Sequence, residues 1–311
     1  MTQKSSILRT IKCWFDNTAM GDRGQRINWM RIIPFIGLHL VCFAVFWVGW
    51  SPFALVFALL MYLIRMFAIT GFYHRYFAHK AFKTSRGLQF LFALIGAAST
   101  QRGPLWWAAH HRNHHRFADT EKDAHAPRHG FIWSHMAWFL SDQHFATPEK
   151  SIPDLIKFPE LRWLDRFDLC VPVGFATAIF LLGAWLETAM PSLGTNAWQL
   201  LVWGYFISTV VLLHVTLMVN SVAHRWGSRR YNTGDESRNN FLLALLTLGE
   251  GWHNNHHHYA GSARQGFYWW EIDMTYYLLK VMSLLGLIRE LKPLPLKIRD
   301  QWQGSQTRGK Q

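Results

Sequence analysis

The sequence predicts an all-α integral membrane protein, with four transmembrane helices paired in two hairpins beneath a cytoplasmic helical cap. Three observations carry that reading: long runs without charge, the placement of the basic residues, and three tight boxes of histidine. Half of the 311 residues are hydrophobic and only 16% are charged, against about 25% in soluble domains. With 16% aromatic residues the chain carries too much apolar surface for disorder. Cys13, Cys42 and Cys170 are far apart and odd in number, which excludes a disulfide scaffold. Mean hydropathy is +0.01, so the order of residues, not their average, has to separate membrane from polar segments.

The elements follow in order. Residues 32–50 (IIPFIGLHLVCFAVFWVGW) hold no charge. A helix rises about 1.5 Å per residue, so about 20 apolar residues cross a hydrocarbon layer of about 30 Å, and 32–50 is the first span. The second, 52–70, requires the run 53–64 to continue past Arg65, whose side chain then snorkels or faces the protein interior. The third and fourth spans are 169–187 and 198–220. Buried core helices of a soluble protein are the alternative, but those are usually amphipathic and shorter. Between and after the hairpins lie the cap segments 71–168 and 221–298. Within them, 88–98 and 241–248 are too short to span and read as interfacial or protein-packed helices, and 276–288 as a helix on the membrane surface. The tail 299–311 is polar and is expected to fray. No internal repeat divides residues 1–311, which read as a single domain.

Charge sets the orientation. Of 32 Lys and Arg, 6 lie in residues 1–31, 1 is Arg65, 13 lie in 71–168 and 12 lie from Arg225 onward. None lies at Ser51-Pro52 or in 187–197. By the positive-inside rule both termini and the cap are cytoplasmic. The formal charge of +13 is therefore a property of topology. Nucleic-acid binding is the competing explanation, but no helix-turn-helix, finger or RNP pattern occurs. A long basic-polar stretch precedes the first run, which is long enough to remain as an anchor rather than a cleaved signal.

Most of the 17 histidines are clustered. His74 and His79 lie in HRYFAH, His111, His114 and His115 in HHRNHH, and His253, His256 and His257 in HNNHHH. Asn220 and His224 lie in NSVAH after the fourth span. Spacings of i, i+3 and i+4 put side chains on one helix face, so the second and third boxes each present three imidazoles together. His74 and His79 diverge by about 140° on a regular helix, so they meet only near a helix end or from different heights. Nine imidazoles and an amide are too many for one metal and suit two metals in one pocket. Imidazole ligates iron, zinc, copper or nickel, so ligand type does not choose the metal. Asp119, Glu121, Asp123 and Glu250 are candidates to hold the ligands' second nitrogens, Glu250 the best placed, three residues before His253. The other eight histidines are assigned no ligand role: His39 and His214 within spans and hydrogen-bonded to neighbours, His125, His129, His135 and His144 in the cap, His110 and His258 off the shared faces.

At these residues the chain resembles the integral-membrane fatty acid desaturases, specifically the acyl-CoA Δ9 (stearoyl-CoA desaturase-like) branch. HRYFAH at 74–79, HRNHH at 111–115, NSVAH at 220–224 and GEGWHNNHH at 249–257 carry the resemblance. It implies a di-iron centre held by His74, His79, His111, His114, His115, His224, His253, His256 and His257, with Asn220 acting through water. It also implies a reaction that removes two hydrogens from neighbouring methylenes of a saturated acyl chain, consuming O₂ and two electrons and leaving a cis double bond. The chemistry agrees: an unactivated C–H bond needs an oxidant that no side chain supplies, and redox-silent zinc could not provide it. No HPGG motif of a fused cytochrome b5 is present. Electrons then come from a separate ferredoxin, flavodoxin or reductase docking on the basic cytoplasmic face. The missing b5 domain, the short termini and the resemblance point to a bacterial inner membrane.

A long apolar substrate needs a narrow apolar tunnel, for which Trp106, Trp107, Trp133, Trp138, Trp252, Trp269 and Trp270 are candidate lining residues. Trp107, Gln101, Arg102 and Trp252 are the candidate substrate contacts. Two departures bear on the carrier. His110 stands where animal relatives have an acidic residue, and Ser141-Asp142-Gln143-His144 replaces basic residues that help hold coenzyme A phosphates. An acyl chain esterified in a phospholipid is thus an alternative to acyl-CoA. A di-iron hydroxylase or alkane monooxygenase, a membrane metal transporter and a zinc hydrolase are the alternative activities. The two H-x2-H-H boxes disfavour the first, and ligands placed beyond the spans disfavour the second. The third needs a general acid–base carboxylate, which is not identifiable in the sequence.

Overall fold

The computed structural model describes residues 29–302, with residues 12, 14–17 and 27 of the segment before them. Most of the basic N-terminal stretch, and the part of the expected frayed tail at 303–311, lie outside the described residues. The described chain is mostly helical. It opens with α1 (Trp29–Val41), a 3₁₀ turn (Cys42–Ala44) and α2 (Val45–Val48). Gly49, at φ 65°, ends this run. Ser51 then caps α3 (Pro52–Phe67), its Oγ accepting from the Ala54 amide at 3.1 Å, with Pro52 in the first turn where its missing N–H costs nothing. α3 continues without a break into a π-helix, Ala68–Ala78. The cap then supplies α4 (Arg86–Ala97), α5 (Pro104–Phe117), a π turn at Trp133–Ala137 and α6 (Pro159–Arg166). α7 (Cys170–Ala189) is followed by α8 (Ala197–Leu200), a π segment (Leu201–Ile207) and α9 (Ser208–Ser221) in one continuous rod. The second part of the cap holds α10 (Phe241–Leu246), α11 (His253–His258), α12 (Met274–Leu284) and α13 (Leu296–Arg299). Its only sheet among the described residues is the antiparallel pair β1 (Lys83–Thr84) and β2 (Ile288–Arg289), which ties the two cap segments together.

Among the described residues three helices are long and apolar enough to cross a membrane: Pro52–Ala78 (27 residues), Cys170–Ala189 (20) and Ala197–Ser221 (25). Two expectations need correction. The apolar helix expected to span at 32–50 is shorter, Ile32–Val48, because Gly49 stops it and the 3₁₀ turn interrupts it. The second span runs on to Ala78 instead of ending near 70, because the π-helix carries the rod straight into the cap.

The outer surface of the bundle is apolar. Phe46, Trp47, Val56, Leu59, Leu181, Trp185 and Trp198 are all exposed, an arrangement that requires nonpolar surroundings. Arg65 takes the second of its two expected positions and faces inward. Its guanidinium donates to the Ala98 carbonyl (3.1 Å), Thr209 Oγ1 (2.5 Å) and Ser208 Oγ (2.6 Å). The donors of a charged group buried among helices are thereby satisfied. In the cap, Met274, Tyr277, Leu278, Val281, Leu284 and Leu285 leave one face of α12 apolar and exposed, the stripe expected of a surface-lying helix.

Close helix contact fixes the bundle at Gly183. A Cβ there would stand 2.7 Å from the Ala197 Cα, whereas a Cβ at Gly174 on the same helix meets nothing within 4 Å. Small residues that let backbones approach are the main packing device between apolar helices. Gly183→Ala is therefore expected to cost about 1–3 kcal/mol through backbone displacement. Gly174→Ala should be neutral or slightly stabilising. Thermal melting of both variants in detergent checks the contrast.

Candidate metal centre

Four elements converge above the bundle. The π-helix solves the problem posed by His74 and His79. Its hydrogen bonds close over five residues, not four, and the His79 amide bonds to the His74 carbonyl at 3.1 Å. The wider turn brings both rings to one side, with centroids 4.8 Å apart. α5 presents His111, His114 and His115 inward. It starts at Pro104, with the Asp165 carboxylate accepting from the Trp106 amide at 2.7 Å as a cap supplied from α6. α9 ends beside the site with Asn220, and the turn after it carries His224. α11 carries His253, His256 and His257.

The rings form two groups. His74, His79, His111, His115 and His256 make one, and His114, His224, His253 and His257 the other; within each, the potential ligand atoms lie within 4.8 Å of one another. In the first, Nε2 atoms approach at 2.8 Å (His79–His111), 3.0 Å (His111–His115), 2.9 Å (His115–His256) and 3.1 Å (His74–His256). In the second, the separations are 2.9 Å (His224–His253) and 3.2 Å (His114–His257). Imidazole nitrogens about 2.0–2.1 Å from a shared ion lie about 3 Å apart at neighbouring positions. All nine histidines expected to gather do so. Asn220 lines the cavity next to the first group, together with His74 and His111.

Carboxylates hold the outer nitrogens. Glu250 pairs with His74 Nδ1. Asp123 Oδ2 accepts from His114 Nδ1 at 2.9 Å, and Asp119 Oδ2 from His224 Nδ1 at 3.1 Å. Asp235 Oδ2 accepts from His257 Nδ1 at 2.8 Å. Asp119 adopts φ 59°, which an aspartate tolerates better than most residues, and also accepts from the Glu236 amide at 2.6 Å. Burial alone would raise Asp123 and Asp235. The adjoining imidazoles outweigh it and hold both carboxyls well below their ordinary range. Burial, then neighbouring imidazoles, pushes His111, His115, His253 and His256 well below the usual histidine range. Burial also takes His257 down to about 4, against the opposing bond to Asp235. These rings are neutral at pH 7 and offer lone pairs.

The donor set fits metal ions on geometry alone. With both Nδ1 protons committed to carboxylates, His114 and His257 turn Nε2 atoms toward each other at 3.2 Å. Burial alone would lower His114, but Asp123, then Asp119 and Asp235, outweigh it and raise His114, so the 3.2 Å gap suits either a shared proton or a metal ion between the two nitrogens.

The family model for fatty acid desaturases matches residues 48–283, three-quarters of the chain. The chain belongs to the fatty acid desaturase family. It is similar to an acyl-CoA C20 Δ5-desaturase of Anemone leveillei, 36% identical over 284 residues, covering 87% of this chain and 86% of the relative. It is also similar to a palmitoyl-monogalactosyldiacylglycerol Δ7 desaturase of Arabidopsis thaliana, 37% identical over 272 residues, covering 86% and 69%. An sn-2 palmitoyl-lipid 9-desaturase of Nostoc is 34% identical over 282 residues, covering 88% and 94%. The protein is thus an oxidoreductase of lipid metabolism, and its relatives act on acyl groups carried both by CoA and by lipids.

In this desaturase a cavity of about 720 Å³ leads from the centre into the bundle. Trp106, Trp107 and Trp138 line it, as do Gln101 and Arg102. Trp107 stacks on His111 with centroids 5.0 Å apart. Gln101 Nε2 donates to Thr216 Oγ1 at 3.1 Å. Four of the tryptophan candidates lie elsewhere. Trp252 is buried with its indole N–H on the Ile272 carbonyl, Trp133 bonds to the Ala124 carbonyl, and Trp269 and Trp270 are exposed. Trp252 is therefore not a cavity contact.

Glu121 is also misplaced by the sequence reading: it is exposed and pairs with Arg128 and His129, not with a clustered ring. Glu250 supports His74, from a different box, and not its near neighbour His253. The residue missed altogether is Asp235, which lies in a polar loop with no motif around it. Two histidines set aside also prove close. His125 packs 4.4 Å from His114 beside Asp123, and His110 lies between Trp106 and Trp138 on the cavity wall. His39 and His214 bond to each other at 2.9 Å, and His214 to His135 at 2.9 Å. His258 stacks on Tyr231.

Removing a carboxylate that orients a ligating histidine usually weakens metal affinity about 10–100-fold. Asp235→Ala is expected to do this at the second group only. Metal content by mass spectrometry should fall toward half of that in the unaltered protein, while Glu121→Ala leaves it unchanged.

Proposed function

We propose that this desaturase inserts a cis double bond, at Δ9, into a saturated long-chain acyl group, using O₂ and a di-iron centre. The overall change is acyl chain + O₂ + 2 electrons + 2 protons giving cis-unsaturated chain + 2 water. The observation that carries the reading is a pair of all-nitrogen ligand groups, the first of which opens through His74 and His111 onto a long apolar cavity. Two iron ions held there would supply the oxidising power that takes hydrogen from an unactivated methylene, which no side chain can. His74, His79, His111, His115 and His256 would hold one, and His114, His224, His253 and His257 the other, with Asn220 acting through water.

The chain's own residues do the rest. Glu250, Asp123, Asp119 and Asp235 fix ring orientation and tautomer. Trp107, packed on His111, shapes the channel where it passes the histidines. The cavity holds the chain extended and dry, so that one pair of methylenes lies against the centre, a selection by position. A third and a fourth helix complete two hairpins when α1, the 3₁₀ turn and α2 are counted together as the first span. The basic segments 71–168 and from 225 onward then face the cytoplasm of a bacterial inner membrane. A separate acidic ferredoxin, flavodoxin or reductase delivers electrons to that face.

His111→Ala and His256→Ala are expected to abolish unsaturated product while the protein still inserts. Gas chromatography of lipids from expressing cells should show a Δ9 monoene for the unaltered chain and none for either variant. Metal analysis should give two irons per chain. One zinc per chain with O₂-independent turnover would overturn the reading.

A further inference from the structure

The cavity has an open side. One wall is α1, through Pro34 and Gly37, and the facing wall is α7, through Val173 and Thr177. Trp198 and Leu201 lie between them at the far end. Val173 is 52% exposed and Trp198 61% exposed, so the same side chains face the cavity and the outside of the bundle. At Gly37 a Cβ would meet nothing within 4 Å. α1 and α7 therefore leave a slot between them. Along α7 its lining runs from Leu169 to Phe180, about 16 Å of helix. That is close to half of the roughly 30 Å hydrocarbon layer, the depth of one leaflet.

The cytoplasmic end of the slot is electrically balanced. Arg102 is the only lysine or arginine lining the cavity among the described residues, and its Nε lies 2.5 Å from Asp168 Oδ2. Asn17 Nδ2 donates to the same carboxylate oxygen at 2.9 Å. Close by, Arg166 is held by Asp16 at 2.8 Å. A coenzyme A headgroup carries several phosphate charges and is held by clusters of unpaired cations. Among the described residues lining this mouth there is no such cluster. A lipid tail, in contrast, already lies in hydrocarbon. To thread end-on through a tunnel from the water side it would have to leave the bilayer, at a cost for every methylene exposed. A slot open along its length removes that step.

Resting on the desaturase reading above, we propose that the slot between α1 and α7 admits, sideways from the cytoplasmic leaflet, the saturated acyl chain of a membrane glycerolipid. The substrate is then a lipid-bound chain rather than an acyl-CoA. Arg102 and Asp168, paired at the mouth, meet the polar backbone of the lipid at the interface.

The test uses the full-length iron-loaded enzyme with a reduced ferredoxin, in vesicles of phosphatidylglycerol bearing perdeuterated palmitoyl chains. Parallel vesicles of unlabelled lipid receive perdeuterated palmitoyl-CoA. Mass spectrometry should find deuterated monoene in the phospholipid at least tenfold faster than in the CoA pool. Faster conversion of the CoA ester overturns the proposal and leaves the desaturase reading standing. Conversion of neither by iron-replete, reducible enzyme overturns both. Thr177→Trp, alone and with Gly37→Leu, should lower conversion of the phospholipid at least tenfold at unchanged iron content, and unchanged conversion overturns the slot as the route. Independently of turnover, a phosphatidylglycerol with a mid-chain diazirine should label α1 and α7 in the unaltered protein. Labelling confined to other helices counts against the slot.

Discussion

Neutral imidazole offers one N–H and one lone pair, and this limit organises the whole molecule. Nine rings packed in two groups share few protons among many nitrogens. Four of them pair Nδ1 with Glu250, Asp123, Asp119 and Asp235, which turns Nε2 toward the centre. A cation held at the centre of either group would be met by several such nitrogens at once and would tie the segments that carry them together. The carboxylates follow from the same requirement, since each balances charge brought to the centre and selects one tautomer of its ring.

Gathering rings from four separate segments demands rods that do not bend independently. The membrane-length helices supply them. Pro52–Ala78 carries its apolar half and its histidine-bearing half on one continuous axis, and Ala197–Ser221 does the same for Asn220. The π-helix is the local adjustment that makes the first rod work. An α-helix through HRYFAH would send His74 and His79 apart, and the wider turn directs both inward. Arg65 fits the same scheme. Bonded to Ser208, Thr209 and Ala98, it joins the rod that holds the first histidine box to the rod that leads to Asn220 and to the end of α4 in the cap.

What was legible in the sequence was whatever repeats with a helical period. Uncharged runs marked the rods, and H-x2-H-H marked two ligand faces on α5 and α11. The illegible parts depend on contacts between distant segments. Asp235 reaches His257 from a loop 22 residues away, and Glu250 lies beside His253 in sequence but serves His74, 176 residues off in the chain. Periodicity carries no information about such pairs. Nor does it report where a helix widens, which is why residues 74 and 79 were expected to meet only near a helix end or from different heights. Trp252 illustrates the converse error. Its place beside a histidine box suggested the channel, but its indole is turned to Ile272 and the channel passes elsewhere.

The division between an all-imidazole centre and an apolar slot also bears on how one chemistry serves many positions along a chain. Neighbouring methylenes of a saturated chain are almost identical in reactivity, so no side chain can recognise the ninth carbon by its chemistry. Position has to be measured as a length, from a polar anchor at the interface to the point where the channel passes the histidines. The relatives, named for Δ5, Δ7 and Δ9 positions at 34–37% identity, are consistent with a measurement that changes more readily than the oxidant. On the proposed reading the anchor end in this chain would be marked by Arg102 and Asp168, and the reacting end by Trp107 and His111 along α5, all of which line the one cavity. That stretch is short and rigid: it begins at Gly103, where a Cβ would lie 2.3 Å from the Asp165 Cα. A ruler built on α5 and α6 moves only if that contact or the polar anchor moves, so a change of position calls for a change there and not in the apolar depth of the slot.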